Sequence, residues 1–124
     1  MINTITSKEA PDAVGPYSHA MEANGMIFTS GQLPIDPATG EMPATAADQA
    51  EISLMNVKRV LEAGGSAMGK ILKTTVFLKN MDDFDAVNKV YATFFDTTFP
   101  ARSCVEVARL PKNALVEIEV IAIK

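Results

Sequence analysis

The sequence has no tryptophan, one cysteine and one histidine, and each scarcity removes a class of function. A single cysteine, Cys104, forbids an internal disulfide and fits a reducing compartment. His19 and Cys104 stand far apart along the chain, so the ligand spacing of a metal centre is missing and no metal site is expected. A Ser–His–carboxylate triad would have to use His19, yet no nucleophile-elbow motif accompanies it. Long apolar runs are also missing, so no membrane span is expected. The start, Met1-Ile2-Asn3-Thr4-Ile5-Thr6, has neither the basic opening nor the apolar stretch of a secretion signal, and the cytoplasm is the simplest location. The net charge is −4, no run of Lys or Arg occurs, and aromatic platforms for bases are few, which argues against nucleic acid as a partner.

What remains is a chain of 124 residues, 48% apolar, enough for one core without disulfide or metal support. With few aromatics, Val, Ile, Leu and the seven Met must fill that core. No repeat, low-complexity tract or linker interrupts residues 1–124, which read as a single domain.

Short strands are expected over residues 2–6 and 17–23, separated by a loop containing Pro and Gly. Asn24-Gly25 is the strongest hairpin signal, because both positions tolerate positive φ, and the strand 26–30 follows it. Residues 31–40 form an irregular loop. From 45 to 63 the apolar residues Ala47, Ala50, Leu54, Val57 and Leu61 recur at helical spacing, and Gly64-Gly65 supplies the stop. A β-branched strand spans 70–79. A second helix is expected over 83–95, with Asp82 as N-cap and Phe84, Val87, Tyr91 and Phe94 on one side. Strands over 102–108 and 115–123 close the chain. This order predicts a mixed α/β (α+β) domain, with a mixed sheet and two helices packed on one of its faces.

In the last strand Val116, Ile118, Val120 and Ala122 point one way, towards the helices. Leu115, Glu117, Glu119, Ile121 and Ile123 point the other way, a mixture of carboxylates and large aliphatics that is odd for a face left in water. Burial against another subunit is the natural remedy, so an oligomer is expected.

Arg102 and Cys104 share one side of their strand. If the two closing strands are neighbours, Arg102 and Glu117 approach the same region. The planar fork of an arginine grips a carboxylate through two parallel hydrogen bonds, and a nearby glutamate can hold a water and move its proton. That pair suits a small carboxylate-bearing substrate attacked by water, while spacing alone favours a structural ion pair. Tyr17, in Gly15-Pro16-Tyr17-Ser18-His19, either covers the core edge or orients a ligand with its hydroxyl. Cys104 reads as a packing residue whose backbone matters more than its thiol. The segment Gly64–Lys70 fits the opening of a phosphate-binding loop, but Ile71 replaces the Ser or Thr that binds magnesium. It also follows a helix and precedes a strand, the reverse of the required context.

Residue chemistry by itself stops at an oligomeric domain with a candidate Arg–Glu carboxylate site. The segment from Phe99 through Pro111 (FPARSCVEVARLP), continued by Val116-Glu117-Ile118-Glu119, resembles the signature of the RidA (reactive intermediate deaminase, YjgF-like) family. Gly15-Pro16-Tyr17-Ser18, Thr29-Ser30-Gly31-Gln32, Lys73 through Leu78 and Val87-Asn88-Lys89-Val90-Tyr91 match the same family, in order and over nearly the whole chain. The resemblance implies a chorismate-mutase-like fold assembled as a homotrimer around an intersubunit barrel, with ligand clefts between subunits. It further implies cofactor-free hydrolysis of 2-iminobutanoate and 2-iminopropanoate, which pyridoxal-phosphate-dependent dehydratases release, to 2-oxo acids and ammonia.

Carried over to this sequence, Arg102 grips the substrate carboxylate, Glu117 positions or activates water, and Tyr17 helps orient water or imine. Ser30 and Gly31 line the pocket, Asn88 supports it, and the backbone at Cys104 meets the reacting end. His19 stands where the family pattern implies glutamine or another variable residue, and no pocket role is implied for it. The connection Asp96–Phe99 is shorter than in some relatives, which bears on cleft shape. Competing readings are a non-catalytic trimer that binds small carboxylates or acts as a holdase, and a ribonuclease, which the acidic charge disfavours. Arg102 together with Glu117 favours the enzyme.

Overall fold

The computed structural model describes residues 1–124 and contains six strands and two α-helices. In chain order these are β1 (Asn3–Ile5), β2 (Ala20–Ala23), β3 (Met26–Thr29), α1 (Ala46–Ala63), β4 (Ile71–Leu78), α2 (Phe84–Ala92), β5 (Ala101–Glu106) and β6 (Val116–Ile123). The strands form one mixed sheet in the order β1-β2-β3-β6-β4-β5. β6 runs antiparallel to both β3 and β4, so β3 and β4 point the same way, while β4 and β5 are parallel. Parallel strands need long crossovers, and α1 and α2 supply them. Both crossovers step in the same direction along the sheet, so a shared handedness lands both helices on one face.

Alternation in β6 places Val116, Ile118, Val120 and Ala122 under those helices, all essentially inaccessible. They meet Ala50, Leu54, Val57, Val60 and Leu61 of α1, with Val87 and Tyr91 of α2 beside them. Within the first turn of α1, Ala46 rather than Ala47 reaches the core. Thr45 caps that helix by accepting from the Asp48 amide at 3.2 Å, and Gly64 ends it. Gly64 is required there, since a Cβ would come within 2.6 Å of the Ile5 side chain.

Four expectations change. The strand expected from residue 17 begins only at Ala20, because the Tyr17 amide turns back onto the Gly15 carbonyl at 2.9 Å and holds the chain in a bend. Asp82 does not cap α2: it lies inside a 3-10 turn, Met81–Asp83, whose cap is Asn80, accepting from the Asp82 amide at 2.9 Å. α2 also stops at Ala92 instead of 95, as the amides of Thr93, Phe94 and Phe95 tighten to i−3 carbonyls. Most consequential is the strand order, which inserts β4 between the two closing strands β5 and β6.

The sheet face away from the helices is uncovered within the chain. One row across all six strands reads Thr4, Met21, Phe28, Ile121, Lys73, Ala101. Phe28, Val105 and Ile123 on this face are each more than 40% exposed. Leu72 is the extra residue of a bulge between Ile71 and Lys73, where β4 slips one position against β6.

Candidate functional site

Arg102 sits on β5, the outer strand of the sheet, opposite Thr74 of β4 and on the helix side. Its guanidinium carbon lies 4.8 Å from the centre of the Tyr91 ring and 5.4 Å from that of Phe84, and Nη1 donates to Asn88 Oδ1 at 2.7 Å. Phe84, Asn88 and Tyr91 are four and three residues apart, so one face of α2 presents all three. Tyr91 is held in turn by its hydroxyl, 2.7 Å from Thr74 Oγ1 in the core. No carboxylate engages Arg102, for the one ion pair of the chain joins Lys124 to Glu22 at 3.3 Å. The guanidinium is thus fixed by two rings and one amide while its remaining donors face an open cleft of about 340 Å³. Asn88, Tyr91, Phe99 and Pro100 line that cleft with it. Burial raises the Tyr91 hydroxyl and the Cys104 thiol above their ordinary ranges; the Thr74 hydrogen bond and then the charge of Arg102 partly offset this at Tyr91, and Arg102 does so at Cys104. A raised thiol holds less thiolate at neutral pH, which disfavours Cys104 as a nucleophile.

A second cleft, of about 490 Å³, opens on the far side of the sheet. Glu117 of β6 forms its floor, with Tyr17, Ser30, Gly31, Lys112 and Glu119 around it. Gln32 and Ile118 exchange backbone hydrogen bonds at 2.8 and 3.3 Å, which clamps the chain after β3 against β6 and lays Gly31 over Glu117. Ser30 is anchored by its hydroxyl, which donates to the Ser18 carbonyl at 2.6 Å. The Tyr17 hydroxyl accepts from the Val14 amide at 3.2 Å, and the ring stays half-exposed at the rim. Burial, and secondarily the charge of Glu119, push the Glu117 carboxyl above the usual carboxylate range.

The candidate residues thus separate into two groups, Arg102 with Asn88 in one, Tyr17, Ser30, Gly31 and Glu117 in the other, while Cys104 shares the Arg102 side of β5 and lines neither cleft. The expectation that Arg102 and Glu117 approach through neighbouring closing strands is overturned. Arg102 registers with Thr74 and Glu117 with Phe77, three residues further along β4 and on the opposite face. The alternative of a structural ion pair falls with it, since neither residue has an ionic partner. Two features escaped the sequence. Phe84 and Tyr91 were legible only as core positions, although their helical spacing around Asn88 is the signal of a platform. Lys112 reaches the second cleft through a turn in which Lys112 and Asn113 both adopt φ of 57°, a left-handed pair without glycine that no local motif announces.

Residues 7–124 match the model of a family described as endoribonuclease L-PSP, to which the RidA and YjgF proteins belong. The chain is a member of this family. A curated RidA-family relative, the 2-iminobutanoate/2-iminopropanoate deaminase of Escherichia coli K12, is 54% identical over 127 residues, covering 100% of this chain and 99% of its own. The protein of that name from Salmonella typhimurium LT2 is 50% identical with the same coverage. Among solved structures, E. coli TdcF with bound serine superposes with a TM-score of 0.95 at 49% identity, covering 98% of both chains. The E. coli YjgF gene product does so with a TM-score of 0.95 at 53% identity, again covering 98% of both. The RidA-family fold is therefore an α+β domain with a mixed six-stranded sheet and two helices, as the element order implies.

Proposed function

We propose that this protein is an enamine/imine deaminase, a cofactor-free hydrolase that converts 2-iminobutanoate and 2-iminopropanoate to 2-oxo acids and ammonia. The single domain of residues 1–124 works as a homotrimer whose uncovered sheet faces form an intersubunit barrel. Each active site joins the Arg102 cleft of one subunit to the Glu117 cleft of its neighbour. The observation that carries this reading is the separation itself: two incomplete half-sites open on opposite faces, one with an unpaired arginine and one with a half-buried carboxyl that no cation pairs. The apolar row containing Met21, Phe28 and Ile121 is the kind of surface that a second copy buries. A lone free Cys104 fits the cytoplasm. Serine, the ligand of the TdcF structure, has the carboxylate and size of the small imino acids.

In this site Arg102, held by Asn88 and the two rings, takes the substrate carboxylate bidentately. That leaves the imine carbon facing the neighbour's Glu117 and a water. Glu117 accepts a proton from the water as its oxygen attacks the carbon of the protonated imine, and the C=N π-electrons move to nitrogen. The neutral carbinolamine then takes that proton back from Glu117 at nitrogen and collapses: its hydroxyl proton passes to bulk water, the C=O forms and ammonia departs. Water is consumed once and Glu117 ends as it began. The Tyr17 hydroxyl orients the imine nitrogen or the water, Ser30 and Gly31 shape the wall, and the Cys104 backbone lies near the reacting end. Orientation and a proton path suffice, since a protonated imine carbon is already electrophilic.

The test forms iminobutanoate in place with a threonine dehydratase and follows 2-oxobutanoate. Wild type accelerates its appearance and Arg102→Ala does not. A wild-type protein that leaves the spontaneous rate unchanged overturns the proposal. So does a monomeric mass in solution at assay concentration, which would leave the half-sites apart.

A further inference from the structure

The buried histidine takes no part in that chemistry, yet both of its ring nitrogens are engaged. His19, 5% exposed, immediately precedes β2. Its Nδ1 accepts from the Ser7 amide at 3.0 Å, and its Nε2 donates to the Pro11 carbonyl at 2.8 Å. These partners dictate one neutral tautomer, with the proton on Nε2, because a backbone N–H can only donate and a carbonyl can only accept. The ring therefore ties the outgoing strand-end at Ser7 to the chain returning at His19. Between them runs the loop that carries Tyr17 to the rim of the Glu117 cleft. The same junction reaches the cleft wall directly, as the His19 carbonyl accepts from the Ser30 amide at 2.9 Å.

We propose that His19 is a positioning residue for the proposed hydrolysis: in its neutral form it closes the base of the 7–19 loop and so holds Tyr17 and Ser30 in place. The inference rests on the deaminase reading for its consequence in activity, but the staple itself is a separate physical statement. A second proton, on Nδ1, sets two donors face to face at the Ser7 amide in a site closed to water, and the bond is lost. The hydrogen bonds of the ring go to Ser7 and Pro11 alone. Asp12 and Tyr17 are the titratable side chains in the shallow depression beside it. Lys8 and Glu9 lie on the strap, and Glu22 of β2 is taken by Lys124. β1 and β3 carry no titratable group, while Glu117 and Glu119 of β6 face the larger cleft.

A loop closed for only part of the time weakens substrate binding by that fraction and leaves turnover of bound substrate intact. His19→Leu, which removes both bonds, is thus expected to raise KM about tenfold with kcat little changed. His19→Gln supplies one acceptor and an N–H donor in place of the ring, and is expected to restore KM at pH 8. In parallel, hydrogen exchange at the Ser7 amide should be slow at pH 8 in wild type and His19→Gln, and fast in His19→Leu.

A wild-type KM in His19→Leu, or a KM in His19→Gln as high as that of His19→Leu, overturns the proposal. Should wild type fail to hydrolyse imines at all, the deaminase reading falls, and rapid Ser7 exchange at pH 8 then decides separately against the staple. If His19→Leu does not fold, hydrogen exchange at the Ser7 amide of wild type still decides, since rapid exchange there overturns the staple.

Discussion

Gly31→Ala should separate activity from stability. Gly31 has ordinary backbone geometry, so alanine is not strained there, and the change should stabilise the fold by up to about 1 kcal/mol through the unfolded chain. Its Cβ, however, would stand 2.7 Å from Glu117 Cδ and closer still to Oε2. Carbon atoms in contact prefer about 3.5 Å, so the carboxylate must retreat by about 0.8 Å. The backbone at Gly31 cannot yield instead, since the reciprocal bonds between Gln32 and Ile118 hold it on β6. The far end of a half-exposed glutamate moves at little cost to folding, but a catalytic group misplaced by about 1 Å loses about a hundredfold in rate. The expected outcome is a melting temperature equal to or above that of wild type, with kcat/KM for iminobutanoate lowered about a hundredfold. The measurements are thermal unfolding and the dehydratase-coupled assay. A variant with kcat/KM within threefold of wild type would falsify the placement of Glu117 in the chemistry.

Three further outcomes follow from the same geometry. The Glu117 carboxyl titrates above its unfolded value, so the folded state binds its proton more tightly and stability falls as pH rises through that window. Glu117→Gln should therefore melt higher than wild type at pH 8, with the gap closing on acidification into the ordinary carboxylate range; a gap independent of pH counts against the burial of that charge. Phe84→Leu removes one of the two rings beneath Arg102, a loss of about 0.5–1 kcal/mol, and should raise KM about two- to fivefold without altering kcat; an unchanged KM means Phe84 does not support the guanidinium. Arg102→Ala and Glu117→Gln, each inactive alone, should recover about a quarter of wild-type activity when unfolded and refolded together, the share of interfaces that draw both intact residues under random mixing. Absence of recovery would place the whole site within one chain.

Much of this fold was legible because water leaves a signature wherever an element is half-covered. β6 alternates strictly, and each of its inward residues is buried as the pattern implies. α1 repeats its apolar face and stops at Gly64. β5 was harder: in Ala-Arg-Ser-Cys-Val-Glu at the sheet edge neither side is deeply buried, so hydrophobicity does not say which way Arg102 faces. Strand order was not legible either, because it follows from how the crossovers wind and not from any one strand's composition. The error over Asp82 has the same local character, for Asn80 two residues earlier is an equally good cap and begins the turn first. At the site, residue types alone supported a carboxylate grip and a water, and motif resemblance named the substrates. The two-faced arrangement needed coordinates. His19 had no pattern around it, as the loop that folds over its ring leaves no periodic trace.

In the proposed trimer, the placement of Arg102 and Glu117 on opposite faces of one sheet would make concentration part of the chemistry. A newly made subunit would carry both halves of the proposed machinery and bring neither to bear on the same molecule. Its specific activity should climb with dilution reversed, from nothing to a plateau, over the range in which subunits find one another. Defects are then shared between chains as well: an allele that damages only the arginine side spoils a neighbour's sound glutamate side, and two different broken alleles can mend each other.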